Sequence, residues 1–78
     1  MLGQRKSRVV DLVDRNLSSQ EIQILQLMAD GFVPDEIGKF VGVSSFAVKA
    51  YTESFVTKLN ANSVAHALAI AIRQKHIQ

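Results

Sequence analysis

The stretch from Pro34 to Leu59 constrains this chain more than any other. Pro34 suits the first position of a helix, where its missing amide hydrogen would lack a partner in any case. Ile37 and Val41 share one side of that short helix, and Gly42 then turns the chain. Ser44 caps a longer helix. At about 3.6 residues per turn, its Val48, Phe55 and Leu59 face inward, flanked by Tyr51 and Thr52. The opposite side holds Phe46, Ala50, Glu53 and Thr57, with Lys49 at its edge. A long helix pinned by one side against a shorter one must present its other side outward.

The flanking segments extend the helical pattern. Ser18-Ser19-Gln20-Glu21 reads as a capping box, with Leu17 and Ile22 at the two positions of a hydrophobic staple. Ile24, Leu25, Met28 and Ala29 form a helical stripe, and Gly31 supplies the left-handed position that ends it. Asn60-Ala61-Asn62-Ser63 breaks the long helix, and Asn62 or Ser63 caps a fourth from Val64 to about Gln74. There Val64, Ala67, Leu68 and Ala71 make one stripe, with Ala69, Ile70 and Ile77 roughly opposite. A helix that is apolar on both sides is normally covered on both. In so small a domain the expected cover is a partner subunit, which makes His66, Ala69, Ile70, Arg73 and Ile77 the candidate dimer interface. The plainer alternative is an alanine-rich helix with one exposed isoleucine. Residues 1–16, with Val9, Val10, Leu12 and Val13, read as a short amphipathic helix or as an arm that orders against a partner. The expectation is an all-α domain over residues 17–78, with that arm or extra N-terminal helix ahead of it.

Composition narrows the function classes. The 78 residues are 47% hydrophobic, which suits one small packed domain and not a disordered tail. The chain has no cysteine, so neither disulfides nor thiolate metal sites supplement the core. No apolar run reaches the roughly 20 residues that span a bilayer, and the basic start is not followed by a signal-like apolar stretch. A soluble, cytoplasmic protein is expected. Net charge is only +2; basic residues gather in the N-terminal arm and the C-terminal half around a mildly acidic middle. Such a distribution is compatible with a nucleic-acid partner but leaves a thin electrostatic footprint.

Helix, short turn and longer helix is the helix-turn-helix plan, in which the second helix meets a DNA major groove. Leu17-Ser18-Ser19-Gln20-Glu21, Ile24-Leu25, Met28-Ala29, Gly31, Glu36-Ile37, Gly42-Val43-Ser44, Val48-Lys49, Lys58-Leu59 and Ala67-Leu68 fall at the spacings of a known family. Over residues 17–73 the chain resembles the LuxR/GerE-type helix-turn-helix domain in its stand-alone form. The resemblance implies a four-helix fold, dimerisation through the fourth helix, and the third helix, about residues 44–59, as the reader of double-stranded DNA. Candidate DNA contacts are Ser44, Ser45, Phe46, Lys49, Ala50, Glu53, Thr57 and Lys58. Lys49 matches the family's Val-Lys pair, and Ser44 and Ser45 can hydrogen-bond phosphate at the helix N-terminus.

The chain also departs from the family. Val33 stands where relatives usually have a polar cap, and Phe46 where a charged or polar residue is common. Ala47 replaces a threonine and Tyr51 a histidine. Glu53 sits where relatives often carry a neutral or basic side chain, and Val64 where an arginine often enters the fourth helix. A carboxylate at Glu53 can accept from cytosine N4, and Phe46 can touch a thymine methyl. An exposed Phe46 beside Val33 and Phe32 equally suits a protein-binding patch. Two readings therefore stand. One is a homodimeric DNA-binding transcriptional regulator. The other is an interaction module of the same fold that binds another transcription regulator. Catalysis has no candidate residues: there is no thiol, no glycine-rich phosphate loop and no ligand cluster. His66 and His76 lie too far apart along one helix and its end to share a metal, and no cofactor is implied.

Overall fold

The computed structural model describes residues 16–78, so nearly all of the expected N-terminal arm or helix lies outside the described residues. Four helices follow: α1 (Ser19–Ala29), α2 (Pro34–Val41), α3 (Ser45–Lys58) and α4 (Val64–Arg73), with no strand among the described residues. The expected all-α, four-helix architecture is what the described residues adopt.

Each start follows from a local polar device. Ser18 Oγ accepts from the Glu21 amide while Glu21 Oε1 accepts from the Ser18 amide, at 3.0 and 2.8 Å. Ser44 Oγ accepts from the Ala47 amide at 3.0 Å, and Ser63 Oγ from the His66 amide at 3.1 Å. Helix α2 has only half of such a box: Val33 offers no polar atom, and Glu36 Oε1 accepts from the Val33 amide at 3.0 Å.

The ends are equally regular. Phe32, Val43, Ala61 and His76 each donate a backbone hydrogen bond to the carbonyl five residues back, at 2.9–3.1 Å. These are Schellman closures, which turn the chain through a residue of positive φ. Gly42 fills that position after α2 at φ 79°, whereas Asn60 and Lys75 fill it after α3 and α4 with φ of 55° and 64°. The turn between α2 and α3 also depends on Gly38. A Cβ there would lie 2.5 Å from the Val43 carbonyl oxygen, so only glycine lets the turn close against α2.

The core takes side chains from every helix. Ile24 and Leu25 of α1, Ile37 of α2, Val48 and Phe55 of α3 and Ala67 and Ala71 of α4 are fully buried. Phe55 is the largest of them and contributes about 3–5 kcal/mol by the usual cost of truncating a core phenylalanine. Alanines at the α4 contact set that helix close against the rest.

Two expectations about α4 are corrected. Val64, placed on the inner stripe, is exposed, and Ile77, placed in the dimer interface, is buried with only 4% exposure. The cause is the end of the helix at Arg73. Beyond Lys75 the chain doubles back, so a helical projection no longer says where Ile77 points. It enters the core, and Gln78 is held by the Gln26 side chain through hydrogen bonds of 2.9 and 3.0 Å.

Candidate nucleic-acid interface

Helix α3 lies over α1 and α2, and its three sides have different surroundings. The inner side is Val48, Thr52 and Phe55, with the Thr52 hydroxyl donating to the Val48 carbonyl at 2.9 Å. One flank faces the N-terminus of α1. There Tyr51 donates to Gln20 Oε1 at 2.8 Å, Ser54 donates to Glu21 Oε2 at 2.6 Å, and Lys58 Nζ lies 2.8 Å from Glu21 Oε1. Lys58 Nζ also donates to the Asn16 carbonyl at 3.1 Å.

Glu21 is 2% exposed, a burial that would ordinarily cost several kcal/mol for a carboxylate. Burial pushes its pKa up, but the Lys58 hydrogen bond, the Ser18 amide, the Ser54 hydroxyl and the Lys58 charge together hold it below the ordinary carboxylate value. The same carboxylate caps α1 and fastens α3.

Lys58, unlike the other lysine among the candidate DNA contacts, is engaged within the domain. Its ammonium is committed to Glu21 and Asn16, on the α1 side of the helix. Thirty-seven residues separate Glu21 from Lys58, so nothing in local sequence announces the pair.

The remaining candidates lie together on the outward side. Ser45, Phe46, Lys49, Ala50, Glu53 and Thr57 are all exposed, and Phe46 is 81% exposed. Among the described residues, no side-chain hydrogen bond or ion pair engages Lys49, Glu53 or Thr57. Ser44, also exposed, uses its oxygen as the α3 cap, which leaves the hydroxyl hydrogen free to donate outward. A shallow groove beside this face is lined by Met28, Pro34, Asp35, Ser45, Phe46, Lys49, Thr52 and Val64.

The candidate dimer residues divide. His66 is half-buried, and its Nδ1 accepts from the Asn62 amide at 3.0 Å, so its ring helps to start α4. Ala69 and Ile70 are half-buried outside the core cluster, and Arg73 is exposed. Ile72, 49% exposed, joins them on the open surface and was not among the residues expected there. Phe40 was also missed. It is 61% exposed on α2 and meets Phe32 edge to face, with ring centroids 5.1 Å apart. The signal for both was the angular position next to Ile37 and Ala71, visible only once the inward residues are known.

No helix among the described residues is long and apolar enough to cross a membrane. No curated protein matches the chain. The fold aligns with a protein solved as "Crystal structure of the phage VqmA-DPO complex" at a TM-score of 0.73 and 22% identity, a likeness of fold. That alignment covers 96% of this chain but 36% of the other, so this chain spans little more than a third of that protein. Residues 15–71 match the family described as GerE, bacterial regulatory proteins of the luxR family. The chain accordingly belongs to the luxR family of bacterial regulatory proteins, and its four helices are the helix-turn-helix domain by which such transcription regulators bind DNA.

Proposed function

We propose that the chain is a transcription regulator that binds double-stranded DNA as a homodimer, with α3 in the major groove and α4 against its twin. One observation carries the reading. Among the described residues nothing engages the side chains of Lys49, Glu53 or Thr57 on the outward side of α3, whereas its inner side and α1 flank are locked by the core and the Glu21 clamp. Lys49 is the expected base or phosphate contact on that side. Ser44 and Ser45, beside the open amides of the α3 N-terminus, are suited to a phosphate oxygen. On α4, Ala69, Ile70, Ile72 and Arg73 offer the surface for a second copy, the two α3 helices then meeting half-sites about one helical turn of DNA apart.

Titration of duplex DNA at two salt concentrations tests this. Binding that weakens steeply with salt is expected, and Lys49→Ala should weaken it further. A folded protein that ignores every duplex at low ionic strength would end the proposal. For the dimer, Ile70→Asp should sediment as a monomer; a variant still dimeric would move the interface elsewhere.

A second reading is favoured by the exposure of Phe46 and Val33 and by charge balance. Residues 16–78 carry five basic and five acidic side chains, so the domain itself attracts DNA weakly. In that reading the face docks on another transcription regulator. Stable capture of such a protein, without DNA binding, would decide for it.

A further inference from the structure

We propose that Glu53 is a specificity determinant that selects a cytosine in each half-site, an inference that rests on the DNA-binding reading above. Phe46, Ala50, Glu53 and Thr57 form a single outward stripe on α3, and Glu53 lies near its middle. No cation among the described residues pairs with it, Lys49 included, although Lys49 stands one turn away on the same helix. Ala50, one turn before Glu53, has no side chain beyond Cβ and lets the helix approach the base edges closely.

Chemistry then restricts what a carboxylate in that place can accept. Phosphates repel it, so the only favourable contacts in a major groove are exocyclic amino groups. Cytosine offers N4–H2 and no neighbouring acceptor. Adenine offers N6–H2 beside the N7 acceptor, which repels the second carboxylate oxygen. Guanine and thymine present acceptors, O6 with N7 and O4, and leave the carboxylate unpaired. Lys49 and Glu53 are four residues apart, about 6 Å along the helix axis. Lys49 would therefore fall one or two base pairs away, where a guanine suits its ammonium. The acidic residue that weakens general attraction to DNA thus supplies the strongest discrimination on this face.

The test is selection of bound duplexes from a randomised library at low ionic strength, using the full chain, Glu53→Gln and Glu53→Ala. The wild type should enrich cytosine at one position of each half-site. Glu53→Gln should move that preference to adenine, since an amide pairs with N6 and N7 together. Glu53→Ala should flatten it. On the selected duplex, changing that cytosine to thymine should weaken the wild type by about fivefold to a hundredfold and Glu53→Ala hardly at all. The position is exposed, so unchanged circular dichroism is expected in both variants. If both variants bind more tightly to every sequence and keep the same cytosine, Glu53 acts only by repulsion and the proposal falls. If the wild type enriches no duplex, the DNA-binding reading itself fails.

Discussion

Lys49 and Lys58 stand on one helix, yet the fold puts them to opposite uses. Nine residues at about 100° each set them roughly half a turn apart in projection. Lys58 closes on the buried Glu21 carboxylate at 2.8 Å, while Lys49 is exposed and has no partner among the described residues. The contrast teaches that α3 is held by one polar flank and offered by the other. A lysine's role here is decided by what lies across from it, not by its membership of a recognition helix. The carboxylates of Glu21 and Glu53 show the same division, one satisfied by three groups and one by none among the described residues.

The largest effect expected from breaking this contrast comes at the clamp. Lys58→Met keeps the stem but leaves the Glu21 carboxylate without its counter-ion, and should cost about 3 kcal/mol in urea unfolding. The figure is the low end for a buried pair, because the Lys58 side chain is still 19% exposed and water can reach the site. Duplex affinity of the folded variant should be unchanged; a large loss would return Lys58 to the DNA face. The clamp also sets an acid limit. Since the folded-state pKa of Glu21 is depressed, its stabilisation is complete above the ordinary carboxylate range and is lost as pH falls through the folded value. Glu21→Gln should therefore flatten the decline in urea midpoint between neutral and acid pH. An identical decline in both proteins would place the acid sensitivity in other carboxylates.

Next in size is Ile77→Ala, expected to cost about 2 kcal/mol, at the lower end for a buried isoleucine because the tail can relax. Oligomeric state should not respond. Dimer dissociation with unchanged monomer stability would mean that Ile77 serves the interface after all.

On the offered side, Lys49→Ala should leave stability within about 0.5 kcal/mol of wild type while lowering duplex affinity roughly tenfold. An equal loss of stability would show that Lys49 supports the fold, and the contrast with Lys58 would collapse. The smallest effect is expected at Lys75, whose φ of 64° costs a side-chain-bearing residue what glycine avoids. Lys75→Gly should stabilise the chain by up to about 1 kcal/mol, measured as a raised thermal midpoint.

Much of the scaffold was legible because its signals are local. The Ser18–Glu21 box, the Ser44 and Ser63 caps, Pro34 and Gly42 act over three or four residues, and α1 to α4 begin and end where those residues require. The outward stripe of α3 was legible for the same reason, since one helix has one periodicity. Gly38 was not: it is a glycine only because the Val43 carbonyl approaches across the turn. Phe40 and Ile72 stayed hidden because their exposure depends on which neighbours the core leaves uncovered.

By itself the amino-acid order determined four helices, their caps and the side of α3 that faces away from the core, since each rests on spacing within a few residues. Tertiary structure alone decided that Glu21 and Lys58 meet, that Ile77 turns inward after α4, and hence which lysine is left to face outward. Those outcomes join residues distant in the chain, and a buried charge or a returning tail acquires its partner only when the helices have packed.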